Sequence, residues 1–305
     1  MDNICHTLVG AALARTGLRR RTALGASTMM IGANFPDIDI LAAPFGRAIE
    51  FRRGWTHGVL AMVVLPFVLA GLMLLWDKYR RRPRDPAAPP AVPRELLLLS
   101  ALSIWTHPTL DWMNSYGLRW LMPFDGRWFY GDSLFIVDPF LLVMLGAGVW
   151  ISRRRDRIPG SNPDRPARLA VAAAAGYIVM MLGLQNVAER TARSELLGTG
   201  FDRQKLVVTA FPGVPIWWRV HADDGERYRQ GRVHAVERTL AMDPGALEKN
   251  ASDPAVQLAM KNERVKGFLD WARLPFYRVE KTPSGAAVRI TDVRYGASIE
   301  VDVER

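Results

Sequence analysis

A chain of 305 residues has room for about two domains, and the apolar runs behind its 49% hydrophobic content sit in the first two-thirds. Net charge is +10, yet residues 200–305 carry 17 Lys/Arg against 15 Asp/Glu, so an excess of +8 lies among the apolar runs. Basic clusters between apolar runs read as membrane anchors and argue against a nucleic-acid surface, which needs its excess on one soluble face. The single cysteine, Cys5, excludes an intramolecular disulfide.

The start, Met1 to His6, lacks the basic region of a signal peptide, so the N-terminus is expected in the mature protein. Two short apolar stretches follow, Ile4–Ala14 and Ala23–Phe35, each marginal for a crossing: a tilted hairpin or a pair of re-entrant helices. Four longer runs then meet the length of a bilayer span: Val59–Trp76, Leu96–Trp112, Leu134–Ile151 and Leu169–Ala188. Arginine-rich clusters at 15–21, 78–84 and 153–168 are expected on the cytoplasmic side. The segments 34–58 and 113–133, and everything after the fourth run, then fall outside. From about residue 200 the composition changes to that of a small α+β domain. Strands are predicted at 205–210, 216–222, 286–293 and 298–303, and an amphipathic helix at 255–272. The expected architecture is a mainly α membrane bundle, residues 1–195, with four long spans and two short N-terminal helices. An extracytoplasmic α+β domain, 196–305, follows it.

On this topology His6, Asp37, Asp39, His57, His107, Asp111, Asp132 and Asp138 all fall at one membrane face. Each ionisable group at membrane depth costs about 2.5–3.5 kcal/mol or more, so such a gathering implies a compensating partner. A divalent metal serves best, because neutral imidazoles and carboxylates bind it and its charge offsets theirs. His107 and Asp111, four apart on a helix, share a face. Asp37 and Asp39, two apart after a proline, point the same way in extended chain, with Ile38 pointing elsewhere. His221 and His234 lack carboxylates at ligand spacing and read as surface or strand residues. Of the pair Trp217-Trp218, a place in the small domain's core is favoured over one dipping toward the membrane. Arg52 and Arg53, on the outer side, either hold an anionic headgroup or pair with the acidic cluster.

At these residues the chain resembles the YdjM-type inner-membrane metal-dependent hydrolases. The matching pieces include His6-Thr7-Leu8-Val9-Gly10-Ala11, Phe35-Pro36-Asp37-Ile38-Asp39, Arg53-Gly54-Trp55-Thr56-His57, Thr106-His107-Pro108-Thr109-Leu110-Asp111, Asn114-Ser115-Tyr116-Gly117 and Ile136-Val137-Asp138-Pro139. The resemblance covers about residues 1–190 and leaves the C-terminal domain outside. It implies a bacterial-type inner-membrane location and metal-dependent hydrolysis. The ligand set it implies is His6, Asp37, Asp39, His57, His107 and Asp111.

The mechanism expected on that basis is a zinc-type site, with manganese as the alternative and room for two ions. A carboxylate, Asp39 or Asp132, serves as general base, and Arg53, Asn114 or Tyr116 stabilises the oxyanion. At headgroup level the expected partners are membrane lipids and an amphiphilic substrate: a lipid ester, phosphoester or amide. The competing readings are an ion- or metal-binding transporter and a scaffold in which the metal only staples the helices.

Overall fold

The computed structural model describes residues 1–45, 52–197, 199, 206–283 and 285–304. Contacts divide the chain into two units, Met1–Gln185 with Thr209–Pro215, and Asn186–Val208 with Ile216–Arg305.

In the first unit, Asp2 caps helix α1 (Asn3–Arg15) by accepting from the Cys5 amide, so the chain is already helical when it reaches His6. Helix α2 (Gly25–Gly32) packs against it. A Cβ at Gly10 would collide with the Met29 carbonyl, and one at Gly32 with the Ser103 hydroxyl. Glycine at these two places lets α1, α2 and helix α4 (Pro93–Trp112) approach closely enough to bring their polar residues together. Residues Phe35–Phe45 form a 3-10 helix rather than the extended chain expected around Asp37 and Asp39. Pro36 enters that turn without disruption because the early residues of a helix leave their N–H groups free of intrahelical bonds. Helix α3 (Val59–Trp76) runs on through a π turn to Arg84. Helices α5 (Pro139–Arg155) and α6 (Asp164–Glu195) follow.

The four-span bundle is not what forms. Among the described residues two helices are long and apolar enough to cross a membrane, Val59–Arg84 and Asp164–Glu195. The other two runs fall short for separate reasons. Helix α4 opens with Arg94 and Glu95 and carries Ser100, Ser103, Thr106, His107, Thr109 and Asp111. The run from Leu134 is not helical until Pro139, because Asp138 caps α5 by accepting from the Phe140 and Leu141 amides. That helix is 17 residues long and ends in three arginines. The arginine clusters are also partly neutralised. Arg15 and Arg19 both reach Asp156, Arg20 pairs with Asp164, Arg21 with Glu95, and Arg81 and Arg82 with Asp77. They lock helix ends together as well as carrying charge.

The second unit makes the fold mixed α/β rather than mainly α. A four-stranded sheet has the order β1-β2-β3-β4 (Val207–Ala210, Trp217–Asp223, Arg227–His234, Thr239–Glu248), and a three-stranded antiparallel sheet the order β5-β6-β7 (Pro275–Thr282, Gly285–Asp292, Ser298–Glu304). Lys205, placed in the first predicted strand, lies outside the described residues. The single helix expected at 255–272 is two helices, α7 (Pro254–Ala259) and α8 (Glu263–Trp271), because Asn262 starts a new cap on the Arg264 amide. Val256, Val265 and Phe268 from these helices are buried, as are Val288 and Ile290 of β6. Trp218 is fully buried, in agreement with its core assignment.

His221 of β2 is buried, and both its ring nitrogens lack a hydrogen-bond partner. Burial, reinforced by the positive charge of Arg219, lowers its pKa from 6.5 to about 4. Its imidazole is therefore neutral in the fold and protonates more readily in the unfolded chain. Stability should fall as pH drops from 6.5 toward 4, by up to about 3 kcal/mol, since each tenfold loss of proton affinity on folding is worth roughly 1.4 kcal/mol. Thermal melts between pH 7 and pH 4 should show this slope, and it should be shallower in His221→Phe.

Candidate metal centre

Five stretches of chain converge inside the first unit. Helix α1 brings His6, the 3-10 helix brings Asp37 and Asp39, the turn before α3 brings Arg53 and His57, and α4 brings His107 and Asp111. The loop after α4 adds Asn114. His6, His57, His107, Asp111 and Asn114 are completely buried.

At the centre, one donor atom from each of Asp37, His57, His107 and Asp111 lies within 4.8 Å of the others. The His57 and His107 Nε2 atoms are 3.2 Å apart. Asp111 Oδ2 lies 3.6 Å from His57 Nε2 and 3.5 Å from His107 Nε2. Asp37 Oδ1 lies 3.8 and 3.6 Å from the same two nitrogens. Ligands about 2.0–2.2 Å from a tetrahedral ion stand ~3.3–3.6 Å from each other, so these separations match the edges of such a shell.

Hydrogen bonding points the same way. The His107 Nδ1 atom is 2.7 Å from the Ala33 carbonyl, which can only accept, so Nδ1 carries a proton and Nε2 is the nitrogen turned to the carboxylates. Asp37 Oδ1, which faces the imidazoles, is buried without a hydrogen-bond donor, and Asp111 Oδ2 beside it has the ion pair with Arg53 Nε at 3.1 Å but no donor in hydrogen-bond geometry. Buried carboxylate oxygens are ordinarily satisfied. Two carboxylate oxygens aimed at two converging imidazole nitrogens form an arrangement that a divalent cation satisfies.

The surrounding residues hold these donors in place. Asp39 Oδ2 accepts from the Arg53 amide at 2.8 Å and stands 3.6 Å from His57 Nδ1, with the Thr56 hydroxyl 3.0 Å from the same nitrogen. Asp39 thus backs His57 from behind, while Asp37 faces its Nε2 side. The 3-10 turn sends the two aspartates in different directions, and Ile38 points out to solvent or lipid. The His6 ring stacks on His107 with centroids 3.8 Å apart, and its Nε2 lies 3.2 Å from Asp111 Oδ1. The Met1 amino group also pairs with Asp111. Arg53, at a positive φ of 51°, places its Nε 3.1 Å from Asp111 Oδ2. Its Nη1 donates to Asn114 Oδ1 and the Gly117 carbonyl, and its guanidinium lies over the Tyr116 ring. Asn114 and Tyr116 therefore steady Arg53.

Asp132 is not among the four gathered donors; it is buried at a positive φ of 52°, and its carbonyl accepts from the Ala210 amide. Asp138 is a helix cap whose second oxygen accepts from the Tyr177 hydroxyl. The Ala33 carbonyl and Thr56 escaped the sequence reading. A backbone acceptor leaves no side-chain signal, and Thr56 is legible only as the neighbour of His57. Arg119 escaped it too. It is buried, its amide donates to the Arg53 carbonyl, and its guanidinium stacks over Trp128.

A family model described as YdjM inner membrane protein matches residues 1–188, which contain every residue of this centre. The chain belongs to the YdjM inner membrane protein family. Comparison with the curated proteins and with the solved structures found no match. The YdjM match and the two candidate spans agree on an inner-membrane protein, and its His/Asp cluster has the donor geometry that could hold a metal ion.

The geometry separates the role of Asp39 from that of a direct ligand. Outer residues that orient a liganding histidine typically contribute 10–100-fold in metal affinity. Asp39→Ala should therefore weaken metal binding by about that factor without abolishing it. Titration with a competing chelator would measure the change.

Proposed function

We propose that this YdjM-family protein is a membrane-embedded metal-dependent hydrolase acting on an amphiphilic substrate. One observation carries the reading: two buried carboxylate oxygens, Asp37 Oδ1 and Asp111 Oδ2, face two imidazole nitrogens that converge to 3.2 Å. Two imidazoles and two carboxylates suit zinc, and manganese as the oxygen-preferring alternative. His57, His107 and Asp111 would hold the ion. When bound, it supplies Lewis acidity and a water whose pKa is lowered toward ~7.

Asp37 is the member of the cluster that solvent reaches, at 12% side-chain exposure against 0% for the other three. It takes the role of general base at the entry side, accepting the proton of the attacking water. Arg53 borders the cluster through Asp111 and steadies negative charge that develops on the substrate. The buried Asn114 amide still has an N–H group without a partner to offer there. An enclosed site among helices of a membrane protein favours an ester, phosphoester or amide carried by a lipid-like molecule.

A second reading has its own support. Four protein donors suffice to close a tetrahedral shell, which is the signature of a structural ion. Asp37→Asn separates the two. Protein reconstituted with zinc or manganese would be assayed against micellar alkyl esters, alkyl phosphates and acyl amides. Chelator-sensitive hydrolysis of one class, lost in Asp37→Asn while the metal stays, is the expected result. Metal-loaded wild-type protein that cleaves none of the three classes would leave a structural staple.

A further inference from the structure

Beside the metal centre the first unit holds a cavity of about 340 Å³ walled by helices α1, α4, α5 and α6. We infer that this cleft receives a hydrocarbon chain of the substrate, so that the protein acts on an amphiphile whose tail lies along α4 and whose polar end meets the His/Asp cluster. The inference rests on the hydrolase reading for the word substrate, but the cleft's affinity for a hydrocarbon chain is separately measurable.

The walls belong to the site. On α1, Val9 and Leu13 lie three and seven residues after His6 and line the cleft, one helical stripe continuing from the centre. On α4, Thr106 and Leu110 line it and are the immediate neighbours of His107 and Asp111. The helix therefore turns its polar residues to the cluster and the adjacent stripe to the cleft. A molecule seated against Leu110 has one end beside the centre.

The lining also selects the occupant. The threonines on the wall are Thr106 and Thr109, and each hydroxyl is already spent on its own helix. Thr106 Oγ1 donates to the Ser103 carbonyl at 2.7 Å and Thr109 Oγ1 to the Trp105 carbonyl at 2.8 Å. What they present to the cleft is their methyl groups. The opposite wall is Val171, Ala174, Ala175 and Ile178 of α6, at helical spacing on one of the two helices able to cross a membrane. Water gains nothing in such a space, because ordered water needs two to four polar partners. At the roughly 30 Å³ that a water-sized group fills, the cavity accepts on the order of ten methylenes, one chain rather than two. Small side chains at Ala174 and Ala175 keep that space open.

The test uses the full chain in phospholipid nanodiscs and a dodecylphosphocholine probe carrying a diazirine midway along its chain. After irradiation, adducts are mapped by peptide mass spectrometry. Adducts should concentrate on the cleft, at residues such as Leu110 and Ala174. They should fall at least tenfold in Ala175→Trp, whose indole lies across the opening, and fall in proportion to size in Ala175→Leu. They should persist in His107→Ala. Labelling of the cleft in metal-loaded wild-type protein that hydrolyses no substrate would remove the hydrolase reading and leave the chain site standing. Adducts spread evenly over the outward-facing Val63, Phe67 and Val179, unchanged in both Ala175 variants, would overturn the inference, since the cleft would then be ordinary lipid contact.

Discussion

Asp111→Ala should destabilise the first unit by about 3–5 kcal/mol, the usual cost of removing one partner from a buried ion pair. Asp111 is completely buried and is the hub of the centre. Its Oδ1 faces His6 and the Met1 amino group, and its Oδ2 faces Arg53, His57 and His107. Arg53 is only 5% exposed, and Asp111 is the carboxylate its guanidinium reaches. Deleting that carboxylate strands the guanidinium away from water, held by Asn114, the Gly117 carbonyl and the Tyr116 face, none of which carries compensating charge. The measurement is a thermal melt of purified protein, with Arg53→Met/Asp111→Ala as the companion. The double variant removes the stranded charge and should recover much of the loss. If the single and double variants melt alike, the Arg53–Asp111 pair is not what the stability rests on.

His107→Ala should reduce metal binding to background and hydrolysis by about a thousandfold or more, well beyond the 10–100-fold typical of residues that only orient a ligand. The reason is position. His107 Nε2 is within 3.6 Å of the other three donors, and among the described residues none stands in for it. Its ring also serves as the floor on which His6 stacks. The variant additionally leaves the Ala33 carbonyl without its donor, a stability cost of about 1–3 kcal/mol. His107→Gln answers this by keeping an amide donor near Ala33. If the loss of metal were a folding artefact, His107→Gln would restore it; a ligand role predicts that it does not.

Much of the centre was legible because its chemistry is local. His107 and Asp111, four apart on an apolar helix, had to share a face, and they do lie 3.5 Å apart in one cluster. Arg53 could be read as a partner for the acidic group, and it reaches Asp111. The division of labour between Asp37 and Asp39 was not legible. Spacing of two implies a common direction only in extended chain, and the 3-10 turn after Pro36 separates them. The number of spans was overestimated for a related reason. A window of apolar residues does not reveal that Asp138 will cap a helix and discard the five residues before it. Nor does it reveal that Ser100, Ser103 and His107 belong to the interior of a helical unit. In the second unit, β3 escaped notice because Arg227–His234 is rich in arginine and owes its strand form to pairing with β2 and β4. Strand β4 contains Pro244 and Gly245, tolerated because it is the edge of its sheet and shifts register there.

Elemental mass spectrometry tests whether His57, His107 and Asp111, with Asp37 beside them, hold a metal ion. The protein would be purified in detergent without chelator, loaded with zinc or manganese and desalted, beside His57→Ala and His107→Ala treated alike. About one ion per wild-type chain is expected, and less than about a tenth of that in either variant, each still eluting as a single folded species. A wild-type protein that retains no stoichiometric metal after loading would contradict it.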